Sequence, residues 1–277
     1  MSLIYDLHAH STASDGTLSP VELMQHAHAA GVNVMALTDH DTTAGIAEAR
    51  DAATQLGMEF IPGIELSVTW NNRTVHIVGL GIDERSEPMQ AGIKKLMEFR
   101  QWRAEEIGRR LEKAGYPDMY EKAKAYSNGR LIGRVHFARA LVAAGHADTV
   151  GAVFKRFLVG GKPGFVPGAW AELSDVVKWI REAGGRAIIA HPARYDMTRT
   201  KLRQLIADFK ELGGEGFEVC SGSHSKDDVN TMAQHARDFD LLASAGSDFH
   251  GPENPWVNLG QLAPIPKGLK PVWHDWH

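Results

Sequence analysis

Ile4-Tyr5-Asp6-Leu7-His8-Ala9-His10, followed by Ser11-Thr12-Ala13-Ser14-Asp15-Gly16, decides how the rest of the chain is read. Ile4, Tyr5 and Leu7 form a short apolar run of strand type. In extended backbone, side chains two residues apart share a face. His8 and His10 therefore aim at a common point, which suits a divalent metal ion. Asp15 lies just beyond, in a Ser/Asp/Gly turn that can fold back over them. A His-x-His pair alone is equally compatible with two histidines at a strand end, so the remaining strands decide.

Working outward, the same layout recurs. Ser19 and Glu22 form a capping box around Pro20, and the helix they start ends near Gly31. An apolar strand over 32–37 runs into Thr38-Asp39-His40-Asp41. After a helix over 44–56, residues 58–61 read as a third strand, leading through Pro62-Gly63 to Ile64-Glu65. Residues 66–70 and 74–79, around Asn71-Asn72-Arg73, read as a hairpin. From about 91 to 161 the pattern is helical only, with candidates over 94–115 and 134–145. Alternation resumes after Gly160-Gly161-Lys162-Pro163-Gly164. A helix over 174–183 precedes a strand over 186–190, which runs into His191-Pro192. A helix over 198–212 precedes a strand over 216–220, which runs into Ser221-Gly222-Ser223-His224. A helix over 226–238 precedes a strand over 241–246, which runs into Ser247-Asp248-Phe249-His250.

Strands alternating with helices predict an α/β fold of parallel strands joined by right-handed crossovers. About seven strand units close more naturally into a barrel than lie as an open sheet. The barrel then occupies 1–90 and 162–277. Residues 91–161 form a helical insertion on one rim, placed to act as a substrate-binding cap. No Gly-x-Gly-x-x-Gly follows the first strand, which argues against a dinucleotide fold.

A chain of 277 residues, 43% hydrophobic, suffices for one large barrel or two modest domains. The net charge of −4 implies no broad basic surface, so long duplex nucleic acid is not an expected partner. One cysteine, Cys220, precludes an internal disulfide and fits a reducing compartment. No signal-peptide pattern and no apolar run of the ~20 residues a membrane span needs is present. The expectation is a cytoplasmic protein with no membrane contact and no obligate protein partner.

His8, His10, Asp15, His40, Glu65, His76, His191, Asp248 and His250 are nine potential ligands, nearly all at strand ends. In a parallel barrel those ends open onto one face, where active sites lie. Taken singly, each has an ordinary reading; His76, for instance, suits a hydrogen-bonded hairpin position. The set as a whole would need the same accident at almost every strand. Nine donors exceed the three or four of one open catalytic site. They fit two or three ions, with Glu65 as the bridge. The mix of imidazole and carboxylate suits Mn²⁺ first, with Fe²⁺ or Zn²⁺ as alternatives, rather than an all-oxygen Mg²⁺ or Ca²⁺ cage. Such a cluster is locally positive and would attract and polarise phosphate. Outside the set, His26, His28, His136, His146, His235, His274 and His277 read individually as surface, packing or tail residues. Cys220 reads as a small buried thiol. Asp39 reads as orienting a ligand rather than binding metal.

His8-Ala9-His10 with Asp15, Thr38-Asp39-His40, Gly63-Ile64-Glu65, His76, Ala190-His191-Pro192 and Ser247-Asp248-Phe249-His250 resemble, in order, the motifs of the PHP (polymerase and histidinol phosphatase) family of phosphoesterases. The resemblance implies a distorted (β/α)7 barrel holding a trinuclear site. By the family pattern His8, His10, Glu65 and Asp248 hold one ion. Glu65, His76 and His191 hold a second, and Asp15, His40 and His250 a third. A narrower likeness covers almost the whole chain. It is carried by 133–139 with Arg134 and His136, by Gly161-Lys162-Pro163-Gly164, by 191–195 with Arg194, and by 221–225 with Ser221, Ser223 and His224. These resemble the nucleotide-acting branch, which includes 3′,5′-nucleoside bisphosphate phosphatases and 5′→3′ exoribonucleases of short RNA. Ala193 departs from the glycine expected there.

The chemistry that follows is metal-dependent hydrolysis of nucleotide phosphate esters, with a nucleotide or short oligonucleotide as partner. Arg134, Lys162 and Arg194 are candidates for a second phosphate, since guanidinium forks match phosphate geometry and lysine supplies a point charge. His136, Ser221 and Ser223 join them as substrate-binding candidates, and His224 is a candidate to protonate the leaving oxygen. The ordinary reading of each of the three cations is a solvated surface charge. A rival is an amidohydrolase acting on C–N bonds, which also opens on His-x-His but often bridges its metals with lysine, where this chain has Glu65. A second rival, a non-catalytic PHP module, predicts lost ligands, and none is lost.

Overall fold

Each apolar run becomes a strand and each capped, 3.6-periodic stretch a helix in the computed structural model, which describes residues 3–127 and 131–276. His277 lies outside them. Strands β1 (Tyr5–Asp6), β2 (Val34–Leu37), β3 (Glu59–Trp70), β4 (Arg73–Leu80), β5 (Ala171–Glu172), β6 (Arg186–Ile189), β7 (Gly216–Ser221) and β8 (Leu242–Gly246) form one sheet. Its order is β1-β2-β3-β4-β6-β7-β8, with the short β5 added beside β3. The first and last strands meet: the Leu7 N–H donates to Ala245 O at 3.0 Å, and the Asp248 N–H to His8 O at 2.8 Å. The sheet therefore curls into a nearly closed barrel of seven strands, as the count of strand units implied.

One strand departs from the all-parallel expectation, and the expected hairpin is the reason. Asn71 and Asn72 both take positive φ, 45° and 60°, which a tight two-residue hairpin turn requires. β4 consequently runs antiparallel to both β3 and β6. The segments read as separate strands at 58–61 and 66–70 are one strand, the 12-residue β3. Pro62 does not break it; it keeps its place in the parallel register opposite Leu37, and its carbonyl accepts from the Gly81 N–H at 2.8 Å. β5 was not anticipated; two residues leave no period to read.

The barrel helices are α1 (Pro20–Ala29), α2 (Ile46–Gln55), α7 (Leu173–Glu182), α8 (Arg199–Glu211) and α9 (Lys226–Phe239). The Ser19/Glu22 capping box is in place at α1. α7 shows the burial logic most clearly: Leu173, Val176, Val177 and Ile180 fall at helical spacing, and all are buried. Between β4 and β5 lie α3 (Glu87–Lys113), α4 (Met119–Tyr126), α5 (Arg134–Ala143) and α6 (Val150–Val153). α3 is the long element here, at 27 residues, or roughly 40 Å at 1.5 Å per residue. Its first half packs Met89, Ile93 and Leu96 into the barrel's hydrophobic core. Its second half packs Ala104, Ile107 and Leu111 into another cluster with Met119, Phe137, Leu141 and Phe157. One unbroken helix thus belongs to both cores. Among the described residues no helix is long and apolar enough to cross a membrane.

The α3–α7 contact depends on a missing side chain. A Cβ at Gly92 would sit 2.4 Å from the Trp179 ring. Gly92→Ala should cost about 1–3 kcal/mol through overpacking. For a chain of this size that lowers Tm by roughly 2–4 °C per kcal/mol. Thermal unfolding checks this, and an unchanged Tm would show that α3 is not held by this packing.

Candidate metal centre

The strands and the loops that follow them bring nine donors together, and Glu65, in the middle of β3, lies at their centre. Its Oε2 is 2.9 Å from His40 Nδ1, 3.3 Å from His10 Nε2 and 3.4 Å from His8 Nε2. Its Oε1 is 3.0 Å from both His76 Nδ1 and His191 Nε2. Asp248 Oδ1 lies 3.3 Å from His10 Nε2 and 3.6 Å from both His8 Nε2 and His250 Nδ1. Asp15 Oδ1 lies 3.3 Å from His250 Nε2. His76 sits opposite Ser67 within the ladder rather than at a strand end. It reaches the cluster because β4 descends from the hairpin.

Ligand atoms within 4.8 Å of one another fall into three overlapping groups: His10, Asp15, His40 and His250; His8, His10 and Glu65; His40, Glu65 and His76. His10, His40 and Glu65 are shared, so the donors form one continuous cluster. His10 Nδ1, His40 Nδ1, Glu65 Oε2, His76 Nδ1 and His191 Nδ1 are buried without a hydrogen bond. Buried polar atoms are normally satisfied. Lone pairs from imidazoles and carboxylates converging on shared spaces are what a divalent cation satisfies, so the residues present fit metal ions.

Charge is strongly perturbed throughout. Burial pushes the Glu65 carboxyl up, but His40, His76 and His8 outweigh it and hold the group well below the usual carboxylate range. Burial and then the facing His250 push His10 down to about 3. Burial also lowers His250, yet Asp15 and Asp248 hold it at about 9. Burial brings His76 down to about 4 despite Glu65.

A set of buried carboxylates that touch no central ligand atom, or only one, fixes these positions. Glu218, in the middle of β7, sets two ligands at once. Its Oε1 is 2.6 Å from His8 Nδ1, and its Oε2 accepts the His191 N–H at 2.6 Å. The first contact places the proton on Nδ1 and leaves His8 Nε2 free to face the cluster. The second holds His191 at φ 28°, an uncommon backbone state for a residue before proline. Asp39 accepts from Ser11 N, Ser11 Oγ and Ser14 Oγ at 2.6–2.8 Å, fixing the loop that carries Asp15. Asp6 accepts from Ser247 N and Gly260 N, fixing the loop that carries Asp248 and His250. Tyr195 accepts the His76 N–H at 2.8 Å and packs its ring edge-to-face on His191. Glu218, Asp6 and Tyr195 were absent from the residues singled out in the sequence. The available signal was an acidic side chain inside an apolar strand, Phe217-Glu218-Val219.

The other candidates lie at different depths. Arg194 is half exposed and pairs with Asp248 Oδ2, the oxygen turned away from the histidines. Arg139 Nη2 donates to Asp15 O at 3.3 Å, so α5 borders the cluster. His136 is buried on α5, where its Nδ1 accepts the Gly133 N–H at 2.9 Å and caps the helix. Arg134 stacks on Phe154. Lys162 is exposed in a turn. Ser221 Oγ, at the end of β7, and Ser223 Oγ are 3.4 Å apart. His224 Nδ1 is 3.1 Å from Val219 O, while its buried Nε2 has no hydrogen bond.

Known proteins share this architecture. The chain is 47% identical, over 98% of its length and 95% of the relative's, to a 3′,5′-nucleoside bisphosphate phosphatase of Chromobacterium violaceum. It is 48% identical, over 99% of both chains, to a 5′-3′ exoribonuclease of Haemophilus influenzae. A solved structure of an amidohydrolase from Chromobacterium violaceum, with sulfate bound and no metal, superposes with a TM-score of 0.94 at 46% identity, covering 98% of this chain and 95% of that one. The PHP domain family model matches residues 6–189, from the buried Asp6 to the end of β6. With the strand order, the nine converging donors and these relatives in agreement, the chain belongs to the PHP domain family.

Proposed function

We propose that this chain is a phosphoesterase that hydrolyses nucleotide phosphate esters with two to three divalent transition-metal ions, Mn²⁺ first among them. The observation that carries this reading is Glu65, whose two oxygens face five imidazoles across a buried cluster of nine donors. His8, His10, Glu65 and Asp248 would hold one ion, Glu65, His76 and His191 a second, and Asp15, His40 and His250 a third. Bound ions would supply Lewis-acid polarisation of the phosphoryl oxygens and a nucleophile at neutral pH.

The chain's own residues then position and protonate. His40, His76 and His250 keep an edge to solvent, so substrate enters over them. Arg194, at the rim on Asp248, and Lys162 offer charge to phosphate oxygens, and Ser221 and Ser223 offer hydroxyl contacts. His136 contributes by fixing the start of α5, where Arg134 lies. His224, with Nδ1 on a backbone carbonyl, has Nε2 left to give a proton to the leaving oxygen. The helical segment over 91–161 serves as the cap, because α5 already touches the Asp15 loop through Arg139. The relatives' names support two substrates, the 3′-phosphate of a 3′,5′-nucleoside bisphosphate and short RNA cleaved from its 5′ end. A cytoplasmic setting accompanies this reading.

The name of the Chromobacterium violaceum structure favours one alternative, C–N bond hydrolysis. A panel of a 3′,5′-bisphosphate nucleotide, a short 5′-phosphorylated RNA, histidinol phosphate and a peptide amide separates the two. Phosphate release from the first and mononucleotide release from the second are expected. Cleavage of the amide with no phosphate released would overturn the phosphoesterase reading.

Two substitutions test the metal centre. Glu65→Ala should lower the metal content of purified protein below two ions per chain and abolish hydrolysis. Elemental analysis showing at most one ion in fully active wild-type enzyme would sink the multinuclear assignment. Glu218→Gln should weaken metal affinity by roughly 10- to 100-fold, as loss of a ligand-orienting carboxylate does. Chelator competition measures this, and unchanged affinity would show that Glu218 does not govern His8.

A further inference from the structure

One large apolar side chain stands almost wholly in water. Trp256 is 87% exposed, and the next of its kind among the described residues, Trp102, reaches only 53%. An indole held in solvent forgoes a large gain in burial, so the way it is mounted matters.

The ring is not exposed because its segment is loose. Residues 251–260 follow the metal-centre residue His250 and are tied down along their length. The Thr17 N–H donates to His250 O at 2.8 Å, and the Thr17 hydroxyl donates to Glu253 Oε2 at 2.8 Å. These bonds join the segment to the loop that carries Asp15. The Trp256 N–H donates to Asn254 Oδ1 at 3.3 Å. Pro252 and Pro255 fix two of the backbone angles. On the far side Val257 packs against the cluster of Leu23, Met35 and Phe249, in which Leu259 is buried. The Gly260 N–H then donates to the buried Asp6 at 3.0 Å.

The same segment borders the loop after β7. A Cβ at Gly222 would lie 3.0 Å from Val257 Cγ1. Gly222 stands between Ser221 and Ser223 and two residues before His224, whose buried Nε2 has no hydrogen bond. Trp256 therefore lies on the stretch of chain that spans from the Asp15 loop, held at Glu253, to the loop after β7, held at Val257. Both loops carry residues assigned above to metal or substrate. The donors and cations of the site recognise phosphate. A planar apolar face mounted beside them recognises a different part of a nucleotide, its base.

We propose that Trp256 is a stacking platform for a nucleobase of the substrate and so a specificity-determining residue of the site. The inference rests on the nucleotide reading above and adds to it a contact to the base. Stacking asks only for a π face, so the platform takes purines and pyrimidines alike. A phosphate ester with no base still reaches the metal centre, but gains nothing from the indole.

The test compares kcat/KM for deoxyadenosine 3′,5′-bisphosphate with that for its abasic tetrahydrofuran analogue. Trp256→Ala removes little packing, so Tm should not change. Its kcat/KM on the base-containing substrate should fall roughly ten- to a hundredfold, mainly through KM, with the abasic substrate unaffected. Trp256→Phe should restore most of the loss, and deoxycytidine 3′,5′-bisphosphate should show a loss like that of the adenine compound. An unchanged ratio, an equal loss on both substrates, or a loss confined to one base overturns the proposal. So does an unchanged ratio with an altered sedimentation coefficient, which would make the ring a contact between copies of the chain. A binding measurement keeps failure of the phosphoesterase reading separate. Adenosine 5′-monophosphate should quench part of the tryptophan fluorescence of the protein as purified, and Trp256→Phe should lose that part. If wild-type protein hydrolyses neither bisphosphate, the phosphoesterase reading fails and this titration still decides the platform: quenching lost in the variant supports it, and quenching that is absent from the wild type or retained by the variant overturns it.

Discussion

A single buried carboxylate holds five imidazoles. Glu65 has no exposed surface, and its oxygens lie 2.9–3.4 Å from nitrogens of His8, His10, His40, His76 and His191. In an apolar barrel an unpaired carboxylate would be protonated or expelled. Here the surrounding rings reverse that tendency and keep it ionised. The same closeness burdens the rings, which press on one another; His10 and His250 stack at 4.1 Å. The cluster keeps its central acid charged but leaves Glu65 Oε2 and several ring nitrogens without hydrogen bonds. Only a cation shared among them resolves both conditions together, so the fold and the metal are expected to be linked.

Holding donors this close needs supports that do not themselves compete for the centre. Four buried acids do this, each tying a different ligand segment to the barrel. Asp6 holds the loop of Asp248 and His250; Asp39 holds the loop of Asp15; Asp41 holds Ser67, two residues beyond Glu65; Glu218 holds His8 and His191. Each accepts at least one backbone N–H, from Ser247 and Gly260, Ser11, Ser67 and His191 respectively, so the ligand segments are held through the main chain. The supports also maintain strain. Asp41, His191 and Asp248 all have positive φ, at 50°, 28° and 58°. Such residues cost on the order of 1–3 kcal/mol each and persist where surroundings over-determine them. Glycine completes the arrangement where side chains must approach closely. A Cβ at Gly246 would lie 2.2 Å from His8 Cβ.

Much of this was legible in the sequence because periodicity and punctuation agree with the fold. The Ser19/Glu22 box and the Asn71-Asn72 turn are local signals, and each appears in the structure where its residues place it; of the donors read at strand ends, Glu65 and His76 lie inside their strands instead. Three things were not legible, for distinct reasons. Pro62-Gly63 looks like an interruption, but β3 continues because its hydrogen-bonding partners change edge there, from β2 to β4. Glu218 carries no motif; its role exists only because β7 lies against both His8 and His191, which are distant in sequence. Arg100 and Arg103 lie within a charged amphipathic helix, where arginine is ordinarily a solvent-facing residue, and only the fold shows them to be buried. Local chemistry can be read from neighbours in sequence, whereas relations between elements require the barrel to be closed.

The long helix α3 turns these relations into a fixed distance. Its N-terminal half is built into the barrel core and its C-terminal half into the core of the inserted helices. Arg100 and Arg103 lie where it passes from one to the other. A cap joined by a flexible hinge would let the insertion's charges drift relative to the metal centre, and binding would then cost the entropy of fixing them. A helix shared by two cores removes that freedom in advance. The Asp41–Arg100 pair adds a second, electrostatic tie at the same level. Cations of the insertion are thereby held at a set separation from the donors of the barrel, before any substrate arrives. Such pre-organisation favours ligands whose charges match the separation and penalises those that fill one end only. In a chain with a net charge of −4, this local concentration of positive charge also bears on where an anionic ligand is drawn, since fields focus in clefts with low-dielectric walls.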